Sequence, residues 1–458
     1  MQADSNPYVV TDTFVQEPPP SFWGRMRFLG PGLILTASIV GSGELIATTL
    51  LGAQAGFVAF WVIIVSCLVK VAVQIEFGKN AIYSGRSTMT AFNSLPGPKL
   101  GRANWSIWLW LALMLPKMLQ VGAIVGAVAM ILNVIHPSIP TSVYVWPVAI
   151  TASMLVWFGG YRLIERSCVS FILLFTLFTI ASLVSLQFTD YAISSAEVLS
   201  GLKFNLPKEA LPVALGVFGI TGIGGDEIMA YNYWLIEKGY AASSGPAKDT
   251  PEWRARAKGW IRVMELDAFV SMIIYTVVTV VFYLLGAAVL HGAEKLPESD
   301  NQLITSLSRM YTESLGPWAA NVFLAGALVV LFSTVLAALG AWTRMFSDAF
   351  GQIGLLDFRD NRQRNRLIGV LAFLIPVCWT LSFLYYKNPA YMIIIGGLAT
   401  TVILFIVAFA AGWLRYHELP ASLKPTRAYD LILWLSLIAI SGVGVYALIK
   451  TVGPYLGG

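Results

Sequence analysis

Apolar stretches long enough to cross a bilayer follow one another along the whole chain and leave little room for another kind of fold. A membrane-spanning helix needs roughly 20 apolar residues, and on that measure we count about eleven spans. Hydrophobic residues make up 57% of the chain and charged residues 12%, whereas soluble proteins carry about 25% charged residues. The sequence therefore predicts an all-α polytopic membrane protein. The predicted spans lie near residues 29–55, 57–83, 104–134, 142–159, 162–187, 209–236, 264–290, 317–347, 366–386, 390–414 and 429–450.

Positive charges are unevenly distributed over the predicted loops. Of the 30 Lys and Arg residues, 22 lie in loops on one side and six on the other, while Lys70 and Lys117 lie within spans. Because Lys and Arg favour cytoplasmic loops, we expect the N-terminus in the cytoplasm and the chain in the plasma (inner) membrane. The net charge of +5 then reflects topology, and we expect no nucleic-acid partner. Residues 1–24 are predicted to form a flexible cytoplasmic tail.

Two of the apolar runs are interrupted by glycines and acids at matching places. The first reads VGSGELIA from Val40 and the second GGDEIMA from Gly224, so that 41–47 aligns with 224–230. A membrane helix tolerates unpaired backbone groups only where they line a cavity or are buried in protein. Discontinuous helices at corresponding places in two repeats are typical of secondary transporters, which bind substrate between them. We therefore predict two broken helices that face each other around a midplane site.

The side chains at the interruptions indicate what that site could bind. A carboxylate at the bilayer centre costs at least about 2.5 kcal/mol and is functional by default, which singles out Glu44, Asp226 and Glu227. Oxygen ligands suit Mg, Ca or Mn, and a thioether such as that of Met229 shifts the preference toward transition metals. The alternative for any one acid is that it pairs with a buried lysine or caps a half-helix.

Known catalytic and nucleotide-binding motifs are absent from the sequence. It contains no GxxxxGK[ST] motif, no HExxH and no GxSxG, which are the signatures of P-loop ATPases, zinc proteases and serine hydrolases. We therefore expect neither an enzyme nor an ATP-driven pump, and no cofactor. The expected partners are the lipid bilayer and a small ion or solute; the oligomeric state stays open, with a monomer as one possibility.

Several stretches resemble the Nramp family of divalent metal transporters. The segment from Gly30-Pro31-Gly32 to Phe57 is similar to the first helix of that family, with its GPG start and its DPGN break. The other matches are weaker, and they are Gly159–Glu165 for the fifth span, Ile228-Met229-Ala230-Tyr231-Asn232 for the sixth, and Ser333-Thr334 with Gly340-Ala341 and Asp348-Ala349-Phe350 for the eighth.

The resemblance implies a LeuT-like fold, with two inverted repeats of five spans, one extra helix and alternating access by rocking. It places the transport core at residues 25–415, with repeat one at about 25–190 and repeat two at about 205–415. Residues 416–458 would supply the additional transmembrane helix.

This chain departs from the family motifs at the residues that matter most. Where the family has its metal-binding Asp and its ligand Asn, this chain has Gly41 and Glu44. The family's Met is kept as Met229, but its His is replaced by Tyr231. The acidic pair that the family links with proton exit is replaced by Lys117 and Gln120. These changes predict weak or absent proton coupling and resemble family members specialised for magnesium.

The favoured hypothesis is a secondary transporter of a divalent cation of the Mg or Mn class. An alternative keeps the fold but moves a small anion or organic solute, because the metal-binding Asp is lost and half-helix NH groups can bind anions. The predicted ligands are Glu44, Asp226, Met229, Ser42 and the carbonyl groups of Gly41 and Gly225. The predicted surrounding or gating residues are Glu227, Tyr231, Lys117 and Gln120.

Overall fold

The computed structural model describes residues 6–292 and 300–456, apart from the side chains of 42, 43, 159–173, 300–303, 448 and 450–456. Helices form most of this part of the chain. In the first half they are α1 (Phe22–Met26), α2 (Pro31–Ile39), a π-helix (Val40–Thr48), α3 (Thr49–Ala55), α4 (Phe60–Val69), α5 (Val71–Ser84), α6 (Thr88–Asn93), α7 (Trp105–Ile135) and α8 (Thr141–Leu186). In the second half they are α9 (Ser195–Ser200), α10 (Leu211–Ile220), α11 (Gly225–Lys238), α12 (Tyr240–Ser244), α13 (Pro251–Val289), α14 (Asp300–Leu315), α15 (Ala319–Ile353), α16 (Asn361–Tyr386), α17 (Pro389–Trp413), a second π-helix (Leu414–Glu418) and α18 (Arg427–Leu456).

Polar residues at span ends determine where the long helices begin. The side chains of Asn104, Thr250, Asp360 and Asn388 accept backbone N–H groups at the starts of α7, α13, α16 and α17. Such caps satisfy donors that have no partner within the helix. A short hairpin of β1 (Lys99–Leu100) and β2 (Ala103–Asn104) leads into α7.

The helices pack as one bundle around α10, α11 and α17. Helix α17 packs against α7, α10 and α11, while α13 packs against α3 and α15 against α8. The segment that contains α10 and α11 is almost completely buried. The second interruption, which lies between these two helices, is therefore at the centre of the bundle. Helix α18 packs on α17 at the outside.

Nine helical segments in the described part of the chain are long and apolar enough to cross a membrane. The prediction of about eleven is roughly consistent with this number. The segment Glu44–Ser84 joins the end of the predicted first span to the second. One boundary differs: α8 runs through the predicted joint between the fourth and fifth spans, because residues 159 and 160 keep a helical backbone.

The described residues of the N-terminal segment are packed, in contrast to the predicted flexible tail. The Tyr8 hydroxyl donates to Glu237 Oε1 at 2.8 Å, and the Gln16 amide donates to the Ser243 carbonyl at 3.0 Å. The Trp260 indole donates to the Gln16 carbonyl at 2.9 Å. A sequence rich in proline and polar residues does not exclude such docking, since the partners are helix ends that no sequence pattern near the N-terminus reveals.

Candidate functional site

The second interruption is a true break, as predicted. Helix α10 ends at Ile220 and α11 begins at Gly225, with extended backbone at Thr221 (φ −75°, ψ 142°). Gly222 has φ of +74°, a region that costs L-residues with a side chain roughly 1–2 kcal/mol. A Cβ at this position would also lie 2.8 Å from the Cα of Cys67. The break thus depends on a glycine for its backbone conformation.

The first interruption is not a break, and the prediction of an unwound segment is wrong here. Residues 40–48 widen into a π-helix between α2 and α3, a form that is often found at functional sites. Gly41 serves close packing instead: a Cβ there would lie 2.0 Å from Thr334 Oγ1 and 3.0 Å from the Val330 carbonyl of α15. Thr334 Oγ1 donates to the Ala37 carbonyl at 2.8 Å. The side chain of Ser42, a predicted ligand, lies outside the described residues.

Glu44 connects the two interruptions. Its side chain is fully buried, and its Oε1 accepts a hydrogen bond from the Gly222 amide at 3.1 Å. Its Oε2 is buried and receives no aligned hydrogen bond among the described residues, since the neighbouring Thr279 hydroxyl donates to the Tyr275 carbonyl at 2.6 Å. The acid from the π-helix therefore reaches the unwound backbone of the second interruption with one oxygen still available.

Asp226 is neutralised by a lysine. Lys117 Nζ of α7 lies 2.9 Å from Asp226 Oδ1, in an ion pair rather than an aligned hydrogen bond. Trp342 Nε1 donates to Asp226 Oδ2 at 3.1 Å, and Lys117 Nζ also donates to Thr400 Oγ1 at 2.7 Å. Both charged groups are buried. Of the two interpretations of Asp226, the structure favours pairing with a buried lysine over a role as a metal ligand.

Glu227 faces a narrow cavity beside Asp226. The free volume is about 10 Å³, roughly the room that one water molecule needs. Glu227 Oε2 is buried and receives no aligned hydrogen bond among the described residues, although the Glu227 carboxyl group lies close enough to that of Asp226 to interact with it. Gly224 makes space for it, since a Cβ there would lie 2.2 Å from that oxygen. The cavity is lined by Leu35, Ser38, Asp226, Glu227, Ala230, Trp234, Ala337, Ala338, Ala341 and Trp342.

The remaining predicted site residues lie around this centre. Met229 is buried in the apolar core, and its carbonyl accepts from Thr88 Oγ1 at 2.9 Å. The Tyr231 hydroxyl donates to Asp267 Oδ2 at 2.9 Å. Gly225 and Gln120 both contact α17. A Cβ on Gly225 would lie 3.0 Å from the backbone nitrogen of Leu404, and the side chain of Gln120 packs against Gly396, both in α17. Met229, Tyr231 and Gln120 thus do not line the cavity beside Glu227.

Lys70 takes a position that the sequence did not reveal. Its ammonium group donates to Ser66 Oγ at 2.9 Å, to the Thr221 carbonyl at 2.7 Å and to the Phe218 carbonyl. One sequence signal could have indicated it, namely a lysine within an apolar span four residues after a serine. The partners could not be inferred, because the two carbonyl groups lie about 150 positions away.

No three His, Cys, Asp or Glu side chains in the described ranges converge as a closed metal site. The arrangement at the bundle centre is instead open: two carboxylates each keep one oxygen without a partner, next to the unwound backbone. In the aligned repeats these two acids, Glu44 and Glu227, occupy equivalent positions. Such a set can offer hard oxygen ligands to a small cation that also takes carbonyl groups or water.

The sequence matches a family model over residues 32–450, and that model is described as natural resistance-associated macrophage protein-like, or Nramp. The chain belongs to the Nramp family. Among its relatives is the divalent metal cation transporter MntH of Latilactobacillus sakei, 24% identical over 455 residues, with 94% of this chain and 91% of that protein covered. An uncharacterized protein of Pasteurella multocida is 24% identical over 346 residues, with 74% and 73% covered.

Solved structures similar to this Nramp protein include the Eremococcus coleocola manganese transporter in complex with an aromatic bis-isothiourea substituted compound. The TM-score is 0.66 at 16% identity, with 98% of this chain and 91% of that chain covered. Mhp1, a nucleobase-cation-symport-1 family transporter, matches with a TM-score of 0.56 at 13% identity, with 93% of each chain covered. The predicted LeuT-like fold of an integral membrane transporter is therefore confirmed.

Proposed function

We propose that this Nramp family member is a secondary transporter that moves a divalent metal cation of the Mg or Mn class by alternating access. The observation that carries the proposal is Glu44, a fully buried carboxylate that reaches the second interruption with one oxygen unpartnered among the described residues. An acid in this environment is costly unless it has a functional partner. A relative named as a divalent metal cation transporter, with which the chain aligns over 94% of its length, supports the same substrate class.

The ligand set that we propose differs from the one expected from sequence. Glu44 and Glu227 are the acids with an available oxygen, and they would supply the charge for a divalent cation. Asp226 would act indirectly, since Lys117 already lies 2.9 Å from it. Oxygen-only coordination favours Mg and Mn over softer metals. We leave Met229 out of the ligand set, because its side chain packs in the apolar core, whereas Glu44 contacts the unwound backbone directly.

The alternative of an anionic or organic substrate is not favoured. The hypothesis of an anionic substrate requires backbone NH groups or buried cations, such as Lys70 and Lys117, that are free to bind the anion. The Gly222 amide is already used by Glu44, Lys117 is paired with Asp226, and Lys70 is bound by carbonyl groups. Little positive potential is therefore left at the centre to attract an anion.

We also propose that proton coupling is weak or absent. A proton path needs titratable groups that can exchange protons across the membrane. Tyr231 stands where the family has a histidine, and it is held by Asp267. Lys117 stands where the family has an acid, and it is held by Asp226 and Thr400. The positive-charge bias of the loops supports the remaining proposals, which are the plasma membrane and a cytoplasmic N-terminus.

The test is uptake of Mn²⁺ and Mg²⁺ by proteoliposomes, with a pH-sensitive dye in the same vesicles. We expect Glu44→Gln and Glu227→Gln each to lower uptake by at least about tenfold, because a charge-assisted contact is worth about 1.5–3 kcal/mol. Glu209→Gln, which changes an exposed acid just before α10, is the matched control and should transport normally.

Wild-type rates in both Glu44→Gln and Glu227→Gln would refute the proposed site. Metal uptake accompanied by stoichiometric proton flux would refute the proposed lack of coupling. A wild-type protein that moves an organic solute and no divalent metal would refute the substrate class.

A further inference from the structure

The ammonium group of Lys70 is held as a bound cation would be held. Lys70 is fully buried at the junction of α4 and α5. Its three hydrogen-bond acceptors are neutral oxygens: Ser66 Oγ at 2.9 Å, the Thr221 carbonyl at 2.7 Å and the Phe218 carbonyl. The three oxygens come from two helices that are far apart in sequence, so they converge only in the folded bundle.

The break after α10 explains why these oxygens attract positive charge. The last carbonyl groups of a helix have no N–H partner within it, and the helix dipole places a partial negative charge at this end. Phe218 lies in the last turn of α10 and Thr221 immediately follows it. Ser66 Oγ lies 3.1 and 2.9 Å from the same two carbonyl oxygens. The result is a small cage of oxygens at a negative helix end.

This cage is linked to Glu44 by a single peptide unit. The carbonyl of Thr221 accepts from Lys70, and the N–H of the same peptide, which belongs to Gly222, donates to Glu44 Oε1 at 3.1 Å. A positive charge on the carbonyl side polarises the peptide and strengthens the donor on the other side. The cation in the cage therefore holds in place the amide that orients Glu44.

We infer that Phe218 O, Thr221 O and Ser66 Oγ form a monovalent-cation site that the Lys70 ammonium occupies permanently, so that transport needs no free cation there. The site is separate from the divalent-cation ligands proposed above and goes beyond them. It predicts that transport by the wild-type protein is the same in sodium, potassium, ammonium or choline salts. It also predicts that a variant without the ammonium would need one from solution.

Two substitutions at Lys70 separate charge from shape. Lys70→Ala removes the ammonium and leaves space for a small cation, whereas Lys70→Met fills the space without charge. In choline chloride we expect both variants to lose at least about tenfold of the divalent-metal uptake rate, since a charge-assisted hydrogen-bond set is lost. Methylammonium, which replaces the missing terminal atoms, or ammonium should restore uptake in Lys70→Ala and not in Lys70→Met. Sodium forms a separate arm that tests whether an inorganic ion also fits the cage.

Thermal unfolding of the purified variants gives a readout that does not depend on transport. The melting temperature of Lys70→Ala should rise by several degrees with methylammonium, ammonium or sodium relative to choline, because a ligand that binds only the folded state stabilises it. The wild type and Lys70→Met should show no such rise. Because this measurement needs no divalent metal, it stays informative even if the proposed substrate is wrong.

Three results would overturn the inference. The first is a Lys70→Met variant that transports and melts like the wild type, since the charge would then be dispensable. The second is a folded Lys70→Ala variant whose melting temperature responds to none of the three small cations. The third is a Lys70→Ala variant that is misfolded in ammonium as well as in choline, whereas folding in ammonium alone would support the site.

Discussion

The two interruptions of the bundle have nearly the same sequence pattern and yet different backbones. The first, at residues 40–48, stays helical as a π-helix, and the second opens between Ile220 and Gly225. The glycines of the two interruptions have different structural roles. Gly41 lets α15 approach, whereas Gly222 gives the chain a positive φ. A glycine-rich interruption therefore predicts an unusual helix without predicting whether the helix opens.

The acids at the two interruptions differ in the same way. Glu44, in the π-helix, has one oxygen bound to an amide and the other unpartnered within the described residues. Asp226, after the break, lies 2.9 Å from a buried lysine. One acid is therefore available to a ligand, and the other is part of the internal structure. Substitutions that remove charge should separate these two roles.

The largest expected effect is on stability at Asp226. Asp226→Asn leaves the Lys117 charge buried without its counter-ion, and we expect it to lower the free energy of unfolding by about 3–5 kcal/mol. Glu44→Gln removes an acid that has no counter-ion within salt-bridge distance among the described residues, and its effect should stay within about 1 kcal/mol. Denaturant titration in detergent micelles measures both.

The double variant Lys117→Met with Asp226→Leu is the control for this pair. Replacing both partners by apolar groups is often neutral for stability, so most of the loss should be recovered. If Asp226→Asn is as stable as Glu44→Gln, the two acids do not differ in the way described.

A medium effect is expected at the two glycines. Gly41→Ala and Gly222→Ala should each cost about 1–3 kcal/mol by overpacking, and Gly222→Ala about 1–2 kcal/mol more through its positive φ. Gly41→Ala should cost clearly less in a Thr334→Gly background than in the wild type, because its closest clash is with the Thr334 side chain and a double-mutant cycle cancels the cost of Thr334→Gly itself.

No equivalent rescue exists for Gly222→Ala, since its nearest neighbour is the backbone Cα of Cys67. The rescue is read from melting temperatures of the single and double variants. A Gly41→Ala protein that melts like the wild type, or a Gly41→Ala substitution that costs as much in the Thr334→Gly background as in the wild type, would contradict the packing role.

The smallest expected effects concern the donors that satisfy the freed carbonyl groups. Thr334→Val removes the hydroxyl that donates to the Ala37 carbonyl and should cost about 0.5–1.5 kcal/mol, the net contribution of a typical intramolecular hydrogen bond. Ser66→Ala should cost less than this, because Lys70 still donates to both carbonyl groups that Ser66 contacts. Equal costs measured by thermal unfolding would show that Lys70 does not substitute for Ser66.

The fold and the position of the centre could be predicted from the sequence. The length of the apolar spans, the repeated interruption and the Nramp resemblance were enough for this prediction. Each of them can be recognised within a short continuous stretch of sequence, without knowledge of which helices pack together. The acid that is equivalent to Glu44 in the repeat, Glu227, also proved to be the second one with an available oxygen.

Two features of the site could not be predicted, because they depend on which helices meet. Lys117 lies on α7 and Asp226 on α11, and both helices pack against α15 and α17, which bring the two residues together. The π-helix depends on Thr334 and Val330 of α15, which no pattern within residues 40–48 contains. The docking of the N-terminal segment was missed for the same reason.

Helix α11 has the proposed binding centre at its N-terminal end and a contact with the N-terminal segment of the protein at its C-terminal end. Asp226 lies in its first turn and Glu237 in its last, a separation of about 16 Å along the axis. The Glu237 carboxylate accepts hydrogen bonds from Arg344 Nε at 2.6 Å, from Arg344 Nη2 at 2.9 Å and from the Tyr8 hydroxyl at 2.8 Å. A tilt of α11 by a few degrees would therefore lengthen or shorten the hydrogen bond between Glu237 and the Tyr8 hydroxyl. The contacts of the N-terminal segment would therefore change with any movement of α11 at the proposed binding centre.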